Sequence, residues 1–386
     1  MSWDLDFTGY GNEELVQLAS DIFVASGVVE ELGLEPTVVR NFVTVAAGHY
    51  LDVPYHNFNH AVHVLHATAL MSGTARARAL LSPLERLALL LAALCHDLGH
   101  DGRSNAFHTN SASELSRTYG GQSAVLEHHH AAIASALLLP PPCRKGGGDV
   151  LAALRSPEER AEVLRVVRSA ILHTDMTRHF ESVRRLADLA AAAGRLEDAA
   201  DGRGPIVSGG AAHTSDAVGL AVAAGHPAAV TSSADADDPG GGSGGSTELG
   251  GATAQAPSRL LLEASDRLLL AQALLHAADI GNAVRPFHVN DAISRRVRAE
   301  FAALRAEEEA LGLPASVPPP LPPLDPDQPQ QGAAAAARAE LRFLDTFVEP
   351  LWERLAGVLP ELEPQLRRLR ANQERFRRIA EEAAGR

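Results

Sequence analysis

Along this chain apolar residues recur at steps of three and four, the spacing that lines one face of an α-helix. The two-residue alternation of a half-buried strand is nearly absent. The stretch NEELVQLASDIFVASGVVEELG, residues 12–33, keeps the helical spacing and stops at Gly33, a C-terminal signal. In SPLERLALLLAALCHDLGHDG, residues 82–102, Ser82, Pro83 and Glu85 form a capping-box start with proline at the first helical position, and Gly99 and Gly102 mark the stop. Ser156 repeats that start signal ahead of a long helical stretch, and residues 258–281 and 339–359 carry the same period. The pattern predicts an all-α, compact multi-helix domain.

Three stretches interrupt it. Residues 140–149 (PPPCRKGGGD) read as a short linker. Residues 194–258 are rich in Gly, Ala and Ser without sustained apolar periodicity, which predicts a disordered insertion. Residues 313–337 are proline-rich and then alanine-rich, which predicts a mobile loop. Candidate chemistry lies on both sides of these interruptions. The reading is therefore one domain over residues 1–386, with its core at about 10–193 and 259–380.

Composition narrows the function. The net charge of −14 disfavours binding to nucleic acid or to an anionic membrane, and an anionic substrate would need a local cation such as a metal. Two cysteines, Cys95 and Cys143, make no disulfide framework, and Cys95 lies on an apolar helix face as a core residue. The acidic N-terminus lacks the apolar core of a signal peptide, and the most apolar run, Leu87 to Cys95, is too short to span a bilayer. The expectation is a cytoplasmic protein with no integral membrane segment, compatible with a homodimer.

The candidate chemistry begins at CHDLGHDG, where His96 and Asp97 follow an apolar helix and His100 is four residues from His96. Imidazole plus carboxylate suits zinc, and a carboxylate can bridge to magnesium or manganese. His56 and His60 in YHNFNHAVHV are also four apart, a helical-face spacing that often marks only a surface or a satisfied core pair. Asp279 follows a largely apolar run in LLHAADIGN, where a buried carboxylate needs a partner. LEHHHAAI sets Glu127 beside three histidines, and ILHTDMTRH sets Thr174 and Asp175 in an apolar helix. A His/Asp metal centre accounts for these five polar islands together.

In this order, YHNFNHAVHV, HDLGHDGRSNAF, LEHHH, ILHTDMTRH, HAADIGN and FLDTFVEPLW, the chain resembles the class I cyclic-nucleotide phosphodiesterase catalytic domain, a branch of the HD metallohydrolases. The resemblance covers residues 10 to 380 apart from the insertions. It implies an HD-domain fold and hydrolysis of 3′,5′-cyclic nucleotides, cAMP, cGMP or both, to 5′-monophosphates. It implies zinc held by His60, His96, Asp97 and Asp279, with Asp97 also reaching a magnesium (or manganese) ion. His100, Glu127 and Thr174 would contact the waters around the ions and orient the nucleophile. His56 would be the general acid, with Glu127 near enough to help set its protonation. Asn282, Val297 and Phe343 would line the nucleotide pocket, Phe343 stacking on the purine.

One position departs from the family. Its pocket glutamine lies three residues before the stacking phenylalanine, and here that residue is Glu340. An ionised carboxylate only accepts hydrogen bonds, whereas an amide does both. Competing readings are another HD nucleotide phosphohydrolase, which need not carry the YHN and FLDTFVEPLW motifs, and a catalytically weakened cyclic-nucleotide-binding or scaffold protein.

Overall fold

The computed structural model describes residues 1–120, 124–139, 149–200, 262–319 and 329–382. Among them are twelve helices of ten or more residues: α1 (Asn12–Ala25), α2 (Pro36–Ala47), α3 (Phe58–Ser72), α4 (Pro83–Cys95), α5 (Val125–Leu138), α6 (Pro157–Leu172), α7 (His179–Ala200), α8 (Ala264–Ile280), α9 (Phe287–Ala310), α10 (Pro329–Phe343), α11 (Glu349–Val358) and α12 (Glu363–Glu382). No strand occurs among the described residues, as the periodicity predicts.

The core is organised around α4. Its start is the expected capping box, in which Ser82 Oγ accepts from the Glu85 amide at 3.2 Å and the Ser82 amide donates to the Glu85 carboxylate at 2.8 Å. From Leu87 to Cys95 every residue is fully buried. A helix apolar all round has no face for solvent, so it must be surrounded. Helices α3, α6, α8 and α5 do this. Burying each leucine of this stretch contributes about 1.5–3 kcal/mol. That enclosure fixes the C-terminal end of α4, from which His96 and Asp97 follow.

Three boundaries lie elsewhere than the sequence pattern places them. The folded unit starts before residue 10, because Phe7 is fully buried and Trp3 packs edge-on against the buried Trp352 at 6.0 Å. The proline- and alanine-rich stretch 313–337 is not one loop. Its last part, from Pro329, belongs to α10, since proline is tolerated at a first turn and alanine has the highest helix propensity. An alanine run gives little hydrophobic contrast, so its period is faint in the sequence. Likewise α7 runs past Gly194 to Ala200, so the predicted insertion begins later than 194. Residues 201–258, 140–148 and 320–328 lie outside the described residues.

The end of α8 shows why a glycine follows Asp279 and Ile280. A Cβ on Gly281 would meet the Ala277 carbonyl oxygen at 2.2 Å and the Trp352 indole nitrogen at 2.9 Å. Its backbone angles are ordinary, so close approach alone demands the glycine. Gly281→Ala is expected to cost about 1–3 kcal/mol through overpacking. Urea unfolding checks this, and an unchanged midpoint would mean that the backbone relaxes around the methyl group.

Candidate metal centre and substrate cavity

His60, His96, Asp97 and Asp279 come from three helix ends and meet. His60 sits in the first turn of α3, whose N-cap Asn57 accepts from the amides of Asn59 and His60 at 3.0 and 3.3 Å. His60 Nε2 lies 3.2 Å from His96 Nε2, 3.4 Å from Asp97 Oδ2 and 3.1 Å from Asp279 Oδ1. His96 Nε2 lies 3.2 Å from Asp97 Oδ2 and 3.4 Å from Asp279 Oδ1. A tetrahedral zinc with bonds of about 2.0–2.1 Å has ligand atoms about 3.3–3.4 Å apart. The five observed separations match edges of that tetrahedron, and His60, His96 and Asp97 offer ligand atoms that all lie within 4.8 Å of one another.

The donor chemistry fits as well. His96 Nδ1 donates to the Ala93 carbonyl at 2.9 Å, so in the neutral ring Nε2 carries a lone pair among carboxylate oxygens. Asp97 Oδ2 is buried without a hydrogen-bond partner. Burial opposes charging His96, yet Asp97 and Asp279 raise its pKa well above the ordinary imidazole value. The pocket demands a positive charge, and a divalent cation supplies one.

Beside this centre lies a second set. His130 donates from Nδ1 to the Leu98 carbonyl at 2.8 Å, which leaves the Nε2 lone pair 3.8 Å from Asp97 Oδ1, acceptor facing acceptor. His100 Nδ1 accepts from the Gly102 amide at 3.0 Å, so Nε2 carries its proton. Burial, and the neighbouring His56, hold His100 well below its ordinary pKa. Asp97, His100 and His130 offer ligand atoms within 4.8 Å of one another. Glu127 accepts from the Asn105 amide at 2.9 Å, and burial pushes its carboxyl up to about 7. Thr174 donates to the Ile171 carbonyl at 2.8 Å.

Two helical-face arguments from the spacing do not hold. Helix α3 starts at Phe58 and Asn57 is extended, so His56 stands in the turn before the helix that carries His60. Helix α4 ends at Cys95, and Gly99 at φ 76° turns the chain before His100. The residues still meet, by a different route: the His56 ring stacks on His100 at 4.0 Å and lies 5.7 Å from His60.

Glu300 is what the sequence reading missed. Its carboxylate accepts from His56 Nδ1 and from the backbone amides of Tyr55 and His56, at 2.8 and 3.1 Å for the amides. The carboxylate bonded to His56 is thus Glu300, where Glu127 had been expected to help. Burial works against it, but the Glu300 hydrogen bond and the Asp97 charge raise His56 above its ordinary pKa. A signal was present: Ile293, Val297, Glu300 and Leu304 follow at steps of four, three and four, so Glu300 occupies the apolar stripe of α9. Asn105, which holds Glu127, and His130, the last of the three histidines that follow Glu127, also belong to this set. His63 is buried, stacks on Phe7 at 4.0 Å and has no hydrogen-bond partner.

A cavity of about 450 Å³ opens beside these groups. His56, His100, Asp97, Asp279, Glu127 and Thr174 line it, and so do Asn282, Val297, Glu340 and Phe343. Asn282 donates to the Tyr55 hydroxyl at 3.2 Å. Glu340 is partly buried in this wall.

The family model described as 3′5′-cyclic nucleotide phosphodiesterase matches residues 55–369. The chain belongs to this family. It is 27% identical over 94% of its length to the mouse 3′,5′-cyclic-AMP phosphodiesterase 4C and covers 42% of that protein. It is 30% identical over 46% of its length to the cGMP-specific 3′,5′-cGMP phosphodiesterase 3 of Dictyostelium discoideum, covering 37% of it. The chain thus spans well under half the length of these two relatives. The crystal structure of the phosphodiesterase domain of the RhoPDE fusion protein from the choanoflagellate Salpingoeca rosetta matches all of this chain and 96% of its own, at 25% identity and a TM-score of 0.72. The all-α architecture is therefore the family's.

Asp279→Ala removes one member of the candidate donor set and is expected to lower divalent-metal affinity by about tenfold or more, since losing even a residue that only supports a ligand costs about 10- to 100-fold. Elemental analysis of the purified variant reads this, and full occupancy would remove Asp279 from the ligand set.

Proposed function

We propose that this chain hydrolyses 3′,5′-cyclic nucleotides to 5′-nucleoside monophosphates, with His56 as general acid. The supporting observation is that a histidine raised by Glu300 shares one cavity wall with a four-donor cation site. Opening the cyclic phosphate breaks the bond to the 3′ oxygen, and that oxygen leaves well only if it receives a proton. Nδ1 of His56 is bonded to Glu300, so Nε2 is the atom that can deliver the proton. His100 offers an Nε2–H donor beside it. Glu127, with a carboxyl near neutrality, can accept a proton from the attacking water and orient it, and Thr174 lines the same space.

For the cations, the two-imidazole, two-carboxylate set of His60, His96, Asp97 and Asp279 suits zinc, and the remaining Asp97 oxygen with solvent suits magnesium or manganese. When bound, the ions would supply charge neutralisation for the phosphate and acidify a nearby water. That matters in a chain of net charge −14 acting on an anion. An intact donor set and a paired His56 speak against a purely binding or scaffold role.

Hydrolysis of labelled cAMP and cGMP with added Mg²⁺, with and without chelator, tests the reading. Chelator-sensitive release of 5′-monophosphate is expected, and failure to turn over either nucleotide when metal-loaded would sink it. His56→Ala should keep its metal while kcat falls by about 10²- to 10⁴-fold. Elemental analysis and kcat together separate that from loss of the site.

Glu300→Gln tests the pairing through pH. A general acid works while protonated, and a raised pKa keeps His56 protonated further into the alkaline range, with activity lost as pH rises through it. Without the carboxylate the alkaline limb of the kcat profile should move to lower pH. An unmoved limb would take Glu300 out of this role.

A further inference from the structure

The cavity wall built by α9 and α10 carries a second polar group. Ser294 Oγ donates to Glu340 Oε1 at 2.9 Å. One turn earlier on α9, Asn290 also lines the cavity and is 1% exposed; its side-chain amide lies near enough to the Glu340 carboxylate to favour its charged form, yet neither amide atom makes a hydrogen bond of ordinary geometry. A buried amide without one is costly and rare, so its placement against a cavity points to a ligand. Phe301, Phe343, Ile280 and Val297 supply apolar wall around these groups, suited to a flat ring.

We propose that Asn290 and Glu340 make this wall a guanine-reading site, with Ser294 holding the Glu340 carboxylate in place. This rests on the cyclic-nucleotide reading above. From O6 through N1–H to N2–H₂, the edge of guanine presents acceptor, donor, donor. The Asn290 amide supplies a donor for O6, and the ionised Glu340 carboxylate supplies acceptors for N1–H and N2–H₂. Its four lone-pair sites leave room for the Ser294 hydroxyl as well. The Asn290 donor also meets O6, which a carboxylate alone would repel. Adenine presents a donor at N6 and a lone pair at N1, so N1 would face the carboxylate acceptor to acceptor.

Burial pushes the Glu340 carboxyl above its ordinary value, while Ser294, Arg298 and Asn290 pull it down and Asp291 adds to the rise. Two N–H donors from a guanine add to the pull and favour the ionised form. A neutral Glu340 would instead donate to adenine N1, which gives the opposite preference.

The test compares kcat/KM for cGMP, cAMP and inosine 3′,5′-cyclic monophosphate, which keeps O6 and N1–H but lacks the 2-amino group. Wild type is expected to favour cGMP over cAMP by about 5- to 150-fold, the discrimination of a good bidentate base contact. It should also favour cGMP over the inosine analogue. Glu340→Gln should bring both ratios towards one, since an amide pairs with O6 and N1–H alone or adapts to adenine. Asn290→Ala should lower kcat/KM for cGMP and the inosine analogue alike, and by more than for cAMP. A wild-type preference for cAMP, or ratios that Glu340→Gln leaves in place, overturns the proposal. The same ratios measured as Kd on metal-stripped protein remove turnover from the comparison. A Glu340-dependent Kd ratio without hydrolysis by the metal-loaded wild type would uphold base reading and discard the hydrolysis reading. Absence of binding by all three nucleotides overturns base reading as well.

Discussion

Two imidazole nitrogens 3.2 Å apart, each within 3.1–3.4 Å of a carboxylate oxygen of Asp97 and of Asp279, form the constraint on which the rest of this molecule depends. The carboxylate oxygens can only accept, the His96 Nε2 of the neutral ring accepts too, and burying such charges uncompensated costs several kcal/mol. The cluster is tenable only around positive charge. The fold is therefore arranged to hold the acceptors together against their repulsion, and a cation that relieves the repulsion adds its binding energy to the folded state.

Holding them requires rigid ends rather than flexible loops. Helix α4 is enclosed on all sides, so the chain leaving it presents His96 and Asp97 from a fixed point. Helix α8 ends against Trp352 at a glycine that no larger residue replaces without displacement, and this fixes Asp279. Helix α3 begins at an asparagine cap one residue after His56. The same cap separates the two histidines: His60 enters the helix and the cation cluster, while His56 stays outside it and pairs with Glu300. One short motif thereby serves two chemical roles.

A second division runs through the cavity. The wall near the cation cluster is rich in histidine and carboxylate groups with displaced pKa values, where charge and protons are handled. The wall from α9 and α10 is apolar with a few buried polar atoms, where shape and hydrogen-bond pattern are handled. Helix α9 contributes to both through one stripe: Glu300 supports His56, and Val297, Ser294 and Asn290 face the other wall.

The helical class, the capped start of α4 and its burial were legible in the sequence, each from local periodicity or local capping. Polar residues stranded in apolar runs pointed to a His/Asp centre, while the resemblance to the family singled out the four residues. The route by which His56 and His100 reach the site was not legible, because a spacing of four implies a shared face only where the helix continues, and both helices stop short. Nor was the extent of α10, since an alanine run folds by propensity while showing no amphipathic contrast. Glu300 stands 244 residues from His56, and Glu340 46 residues from Ser294. Local pattern marks a residue as buried or polar, but which two buried polar residues become partners is decided when distant helices pack and each charge needs an opposite one within reach.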